Sequence, residues 1–290
     1  MIPTYAQQLD LVRQGFATAK VNKNLTTFKY HRKVMYDNLW HKIPGILECR
    51  GHTYDNTNGQ LVLLPPQKTF NYMENDTWKD IPLDTQVKIY RKYNGFMASL
   101  SVYKGKVIIG TTGTTNSEYA KLARETIRKS AFGPLKNIAK WNEGATWLFE
   151  IMHKSDLHIV KEEFGVQYLG CRTHCDPYFI PMLISTQCTL KSAIQLSYEV
   201  EHEGFMVHLA SDPSKICKLK SSYYKSKKNL MRANELKVKQ MFNNPEGYCN
   251  NYSIDSRFHT AVESIVNTFS KDDWMKFSDQ ERRNEIESYL

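Results

Sequence analysis

The chain has 290 residues, 41% hydrophobic and 24% charged, and no stretch approaches the roughly 20 consecutive apolar residues of a membrane span, which excludes a membrane protein. Its net charge of +9 attracts polyanions, although many basic proteins bind no nucleic acid. The length predicts one catalytic domain with a small appendage. A start without a signal-peptide pattern and six scattered cysteines predict reduced thiols and a cytoplasmic location.

The first predicted element is an amphipathic helix over residues 5–20. Short strand patterns then dominate from residue 26 to 220, at 95–103, 106–112, 145–152, 166–173, 203–210 and 216–221. Two predicted helices interrupt them, one over 116–132 with Asn116 or Ser117 as N-cap, the other over 189–200. This order predicts an α+β fold of antiparallel sheets with flanking helices.

The pattern changes to helices with charged faces after Tyr224. We therefore predict two domains, residues 1–224 and residues 225–290. An RNA-binding role for the tail lysines Lys225, Lys227 and Lys228 is a hypothesis.

A cysteine and histidine cluster, Cys171, His174 and Cys175, is the one candidate zinc site. It has no second cluster at zinc-ribbon spacing. The simpler interpretation, which we favour, places Cys171 in a strand and Cys175 in the following turn.

The segment Lys-Tyr-Asn-Gly at residues 92–95 fits the pattern Lys-x-[Asp/Asn]-Gly. It places a lysine at the end of a strand and a glycine where the backbone must approach a bound nucleotide. The match is weak alone, because Lys42-Ile-Pro-Gly at 42–45 also fits Lys-x-x-Gly, although its proline is typical of an ordinary turn.

Acids and lysines follow Lys92 in a definite order: Glu150 in a strand, Glu203 opening another, then Lys218 and Lys220. The two lysines share one strand face, as a phosphate clamp requires. Nearby positive charge also disfavours the ammonium form of a nucleophilic lysine, lowering its pKa from roughly 10.4 toward neutrality. The two carboxylates are suitable ligands for magnesium near a triphosphate.

This order of residues resembles the covalent nucleotidyltransferases, the superfamily of ATP-dependent ligases and messenger RNA capping enzymes. Segments 46–51 (ILECRG), 66–71 (PQKTFN) and 74–75 (EN) are similar to the approach to the lysine motif in the bacteriophage-type RNA ligase 1 family. The resemblance covers residues 28–224.

The resemblance implies a role for each matching residue. Lys92 would carry AMP, and Gly95 would lie in the nucleotide-binding motif. Arg50 and Lys68 would contact the nucleotide phosphates or ribose, with Phe70 lining its pocket. Glu150 and Glu203 would hold the metal, Mg²⁺ or Mn²⁺, directly or through water. Lys218, Lys220 and Tyr224 would form the last motif, with the lysines on the phosphates of ATP.

Two features depart from the family pattern. Thr112 stands where relatives often have a lysine or arginine, which limits a phosphate contact there to a hydroxyl hydrogen bond. Strand alternation puts Glu150 on the face opposite Trp147 and Phe149, so no aromatic ring of this strand is assigned to the purine.

Each site residue also has a structural alternative. Lys218 and Lys220 would suit the exposed face of an edge strand, and Arg50 an ion pair with Glu48. Phe70 and Tyr224 would suit a core. Glu150 lies among apolar neighbours, which predicts a buried carboxylate that needs a partner or a metal.

The resemblance implies an ATP-dependent RNA ligase, expected as a monomer, which joins RNA 5′-phosphate and 3′-hydroxyl ends in RNA repair. The helical tail corresponds in position to the domain that directs this family to RNA, commonly broken tRNA anticodon loops. The alternatives are a capping guanylyltransferase or small DNA ligase, which usually carry an OB-fold after the last lysine motif, and an inert basic RNA-binding protein on the same fold.

Overall fold

The structure is a computed structural model that describes residues 2–138, 140, 143–176 and 178–290. Its strands are β1 (Ala17–Asn22), β2 (Leu25–Tyr30), β3 (Arg50–Asp55), β4 (Leu61–Leu63), β5 (Gln86–Arg91), β6 (Phe96–Tyr103), β7 (Lys106–Gly110), β8 (Ala145–Met152), β9 (Gly165–Thr173), β10 (Ile180–Pro181), β11 (Ser185–Thr189), β12 (Gly204–Leu209) and β13 (Ile216–Lys220).

The α-helices are α1 (Tyr5–Arg13), α2 (Arg32–Tyr36), α3 (Glu118–Lys129), α4 (Leu135–Ile138), α5 (Leu190–Glu199), α6 (Ser222–Met231), α7 (Glu235–Asn243), α8 (Pro245–Asn251), α9 (His259–Thr268), α10 (Lys271–Lys276) and α11 (Asp279–Ser288). Short 3-10 helices cover Ile46–Glu48, Glu74–Asp76 and Ser256–Phe258. The strand pairings among the described residues are antiparallel, so the predicted α+β fold with antiparallel sheets is confirmed.

Two compact units divide the chain. Unit 1 consists of Met1–Lys79, Gly95–His153 and Glu163–Ile184, and unit 2 of Asp80–Asn94, Lys154–Glu162 and Ser185–Leu290. These units describe packing, whereas the predicted boundary at residue 225 concerns independently folding domains. That boundary stays a prediction.

Unit 1 contains two sheets, with strand orders β1-β2-β3-β4 and β10-β9-β8-β6-β7. Helix α3 begins at the N-cap Ser117, whose hydroxyl accepts from the Ala120 N–H. Its Ala123 and Ile127 join a core with Phe149 and Ile151 of β8. Phe149 and Ile151 therefore face this core, as the predicted alternation of the strand requires.

Unit 2 contains the sheet β11-β5-β12-β13 and helices α5 to α11. Its core is built around fully buried side chains of the C-terminal helices, including Leu230, Val238 and Trp274, together with Ile159 and Val160. The prediction of helices after Tyr224 is confirmed for these residues.

The first predicted helix, over residues 5–20, is wrong in its second half. Helix α1 ends at Arg13, and Gly15 has a φ of +76°, a left-handed conformation that suits glycine. The chain then enters β1, where Ala17 pairs with Tyr30 of β2. Pairing with a neighbouring strand has overridden the local helical pattern.

The cysteine cluster agrees with the simpler interpretation. Cys171 lies in β9, and Cys175 lies in the bend that follows it. Among the described residues, no three or more Cys, His, Asp or Glu side chains lie together in a group that could hold a metal ion. No helix in that part of the chain is both long and apolar enough to span a membrane.

Candidate functional site

Lys92 follows β5 directly and lies beside β12 in unit 2. Its N–H donates to the Gly204 carbonyl at 2.8 Å, which continues the antiparallel pairing of β5 and β12. Its Nζ lies 2.8 Å from Glu203 Oε2, with the lysine side chain 21% exposed. Lys92 is therefore fixed at its backbone and ion-paired at its tip, yet still accessible.

The buried carboxylate of Glu203 has two lysine partners. Oε2 contacts Lys92, and Oε1 lies 3.4 Å from Lys220 Nζ. The amide Nδ2 of Asn94 also donates to Oε2, at 3.4 Å. A buried carboxylate is stable only with such partners. Two segments that are distant in sequence, one with Lys92 and Asn94 and the other with Lys220, thus meet around one acid.

Lys220 ends β13, just before the N-cap Ser221 of α6. Its Nζ lies 4.5 Å from the centre of the Tyr224 ring. Burial lowers the pKa of Lys220, Glu203 opposes that change, and the positive charges of Lys228 and Lys92 lower the pKa further. Lys220 therefore lies in a local excess of positive charge that a phosphate would relieve.

Lys218 is two residues before Lys220 in β13, so both side chains lie on one face of the strand. β13 is the edge strand of its sheet, as the structural alternative predicted. Lys220 is nevertheless 23% exposed and ion-paired, so an exposed strand face does not describe its environment.

Gly95, directly before β6 in unit 1, lies against the backbone of β8. A Cβ atom on residue 95 would overlap the carbonyl oxygen of Ile151. Its N–H donates to Glu150 Oε1 at 3.1 Å. The glycine is thus required by close strand packing, a reason that differs from the predicted approach of the backbone to a nucleotide.

Arg50 opens β3, in unit 1, and is half-buried. Burial lowers its pKa, and the charges of Tyr30 and Glu150 oppose this. Glu150 is buried, as predicted. The structural alternative for Arg50, an ion pair with Glu48, is wrong, because Glu48 lies in a 3-10 helix and forms its ion pair with Arg172 instead.

Lys68 lies between aromatic rings in unit 1. Its Nζ is 4.4 Å from the centre of the Phe70 ring and 5.5 Å from that of Trp40, within cation–π range. Burial lowers the pKa of Lys68, Glu74 opposes the change, and Arg50 adds to it. The predicted residues Arg50, Lys68, Phe70 and Glu150 therefore form one electrostatically connected group.

Phe70 and Tyr224 are both buried in hydrophobic cores, as their structural alternative predicted. Each ring also lies against a lysine from the predicted site. Sequence reasoning missed Trp40, for which the sequence carries no signal. It also left out Asn94, which the motif at residues 92–95 contains.

One of the tail lysines is unavailable for RNA. Lys227 is 2% exposed and its Nζ lies 2.6 Å from Glu287 Oε1. Lys225 and Lys228 are exposed, and their role in RNA binding stays a prediction.

Among solved structures, the chain is similar to two forms of an archaeal ATP-dependent RNA ligase. Both are 12% identical to this chain in sequence, and each match covers 100% of this chain and 76% of the ligase chain, with TM-scores of 0.54 and 0.52. The chain therefore shares the overall fold of these two ligase structures. A putative ATP-dependent DNA ligase from Aquifex aeolicus has a TM-score of 0.49 at 12% identity, covering 96% of this chain and 75% of that chain.

No protein-family model and no curated protein sequence matches the chain. This shared fold is the one expected from the resemblance that the order of motifs indicated. The narrower resemblance to the bacteriophage-type RNA ligase 1 family stays a prediction.

Proposed function

We propose that this protein is an ATP-dependent RNA ligase and that Lys92 is its nucleophile. The observation that carries the proposal is the contact of Lys92 with Glu203, which also binds Lys220, on a ligase nucleotidyltransferase fold. A lysine at a strand end, partly exposed and next to a second ammonium group, suits attack on a phosphate.

Three in-line transfers make up the proposed reaction. Lys92 Nζ, after losing a proton, attacks the α-phosphorus of ATP; a P–N bond forms and the P–O bond to pyrophosphate breaks. An oxygen of an RNA 5′-phosphate then attacks that phosphorus, the P–N bond breaks, and a 5′–5′ adenylate results. An RNA 3′-hydroxyl finally attacks the RNA phosphate, loses its proton, and releases AMP.

The chain's own groups serve these transfers mainly by placing charge. Lys220 and Lys218 are proposed to bind the α-phosphate and the leaving group, where positive charge stabilises the transition state. Arg50 and Lys68 are proposed to contact nucleotide phosphates or ribose, next to Phe70. Tyr224 supports Lys220 through its ring.

A divalent cation, Mg²⁺ or Mn²⁺, would neutralise phosphate charge when bound. Glu203 and Glu150 are its proposed ligands, since carboxylate oxygens suit both ions. Glu203 has ammonium groups on both oxygens, so it fits a cation once one of these contacts is released. Glu150 accepts the Gly95 N–H through Oε1.

The decisive experiment measures the covalent intermediate. Wild-type protein incubated with ATP and a divalent cation should gain the mass of one AMP, and Lys92→Ala should gain none. Lys42→Ala, at the competing motif, is the matched control and should behave as wild type. An AMP adduct on Lys92→Ala would show that the nucleophile is misassigned. A wild-type protein without any adduct would favour the inert RNA-binding alternative.

Substrate class follows from two further comparisons on the same protein. GTP in place of ATP tests a capping guanylyltransferase, and nicked duplex DNA in place of RNA tests a DNA ligase. A preference for ATP and for RNA ends supports the proposal. Lys92→Ala should still seal RNA that is supplied already adenylylated, because that step does not use the nucleophile.

A further inference from the structure

A buried carboxylate, Glu162, lies beside the segment that carries Lys92 in unit 2. Its Oε2 accepts from Arg91 Nη2 at 2.9 Å, and its Oε1 accepts from the Asn94 N–H at 3.1 Å. The Glu162 side chain is only 4% exposed, against 48% for Arg91. One carboxylate therefore holds the residues on both sides of the Lys92–Tyr93 pair.

Other contacts make the same segment rigid. The Lys92 N–H donates to the Gly204 carbonyl, and the Arg91 guanidinium lies 5.0 Å from the centre of the Tyr93 ring. The side chain of Asn94 accepts from the Val160 N–H at 3.0 Å and donates to Glu203. With one side chain, Glu162 contacts both ends of this segment, Arg91 and Asn94.

We propose that Glu162 is a positioning residue for Lys92, which fixes residues 91–94 so that the Lys92 amine stays beside Glu203. The inference rests on the proposed function and assigns to Glu162 no contact with substrate. A charged acceptor strengthens both hydrogen bonds, and the buried Glu162 side chain, 4% exposed, is shielded from water at its own end of them. Because in-line attack depends on placement, a shift of about 1 Å in Lys92 costs up to roughly 100-fold in rate.

A purely structural ion pair is the alternative for Glu162. It would contribute to folding and leave the chemistry of Lys92 unaffected once the protein is folded. The two roles predict different results when adenylylation is compared with the sealing of pre-adenylylated RNA, since only the first reaction uses the Lys92 amine.

The test compares Glu162→Ala and Glu162→Gln with Glu163→Ala, a control at the exposed neighbouring residue. Single-turnover formation of enzyme-AMP at saturating ATP should fall roughly 10- to 100-fold in Glu162→Ala. Sealing of pre-adenylylated RNA should stay within about threefold of wild type. Glu162→Gln keeps an acceptor for the Asn94 N–H and loses the ion pair, so its rate of enzyme-AMP formation should lie between those of wild type and Glu162→Ala.

Several outcomes would overturn the inference. Glu162→Ala that adenylylates at the wild-type rate contradicts a positioning role, and so does an equal loss of adenylylation and sealing, which indicates a general structural role. Should Glu162→Ala fail to fold, Glu162→Gln carries the test, and an unchanged adenylylation rate in it counts against the proposal. A wild-type protein that forms no AMP adduct contradicts the proposed function itself.

Discussion

A buried carboxylate with two basic partners is found in each unit, and the two carboxylates differ in what their partners can do. In unit 1, Glu48 accepts two bonds from Arg172, both at 2.9 Å, and lies 3.1 Å from His52. In unit 2, Glu203 holds Lys92 and Lys220. Arg172 is 2% exposed, whereas both lysines are more than a fifth exposed.

The difference separates a structural ion pair from one that suits the proposed reaction. A guanidinium stays protonated and binds a carboxylate through two fixed bonds, whereas an ammonium group binds as a point charge and is able to lose a proton. Burial keeps solvent and ligands away from the Arg172–Glu48 pair, whereas partial exposure leaves the lysines around Glu203 accessible to a phosphate. Partner type and exposure therefore indicate function better than the presence of an ion pair.

The largest expected effect is on the structural pair. Arg172→Ala leaves Glu48 charged and without its two strongest bonds, which should lower the free energy of unfolding by roughly 3 to 5 kcal/mol. Urea titration followed by circular dichroism measures it. Adenylylation per folded molecule should be close to wild type; a loss of activity without a loss of stability would contradict the structural role.

Acid should also lower the free energy of unfolding through the same ion pair, by a smaller amount. Burial opposes ionisation of Glu48, but hydrogen bonds and charge from His52 and Arg172 hold its pKa at about 2, below the ordinary 4.5. A lowered carboxylate pKa contributes stability that is fully present above pH 4.5 and is lost as the pH falls toward 2. Unfolding measured across that window should show a smaller acid dependence in Glu48→Gln than in wild type. Equal dependence would contradict the assignment.

Lys220→Ala should have the smallest effect on the free energy of unfolding. Its main effect should be on the rate of enzyme-AMP formation. We expect a loss of roughly 100-fold in enzyme-AMP formation, about 2.7 kcal/mol in activation free energy. Removing this neighbouring positive charge should also move the acid limb of the pH–rate profile to higher pH, because the ammonium form of the nucleophile becomes less disfavoured. Lys215→Ala, at an exposed position just before β13, is the control. An unmoved pH profile would separate phosphate binding from activation of the nucleophile.

Local sequence predicted much of the fold. β8 was predicted residue for residue, because ATWLFEIM is a short, largely apolar run that is typical of a strand. Ser117 was one of the two N-caps considered for α3. The first helix was too long because its polar pattern continued past Gly15, where pairing of β1 with β2 decides the structure. Propensity is a weak guide when a neighbouring strand competes for the same residues.

The candidate site was predictable only where a motif spans a few residues. The spacing of Lys218 and Lys220 was enough to place both on one face. The partner of Glu48, by contrast, is 124 residues away in sequence, and Glu162 meets Asn94 across 68 residues. Such pairs depend on how strands and loops assemble, which periodicity in one segment does not encode.

The packing of Gly95 against β8 has a consequence for how such sequences diverge. Because a side chain at residue 95 would collide with the Ile151 backbone, selection for a folded protein is enough to keep the glycine. A descendant that had lost its lysine and its chemistry would still retain it. The glycine of the Lys-x-[Asp/Asn]-Gly signature therefore reflects the packing of the fold, whereas the lysine would reflect the proposed reaction.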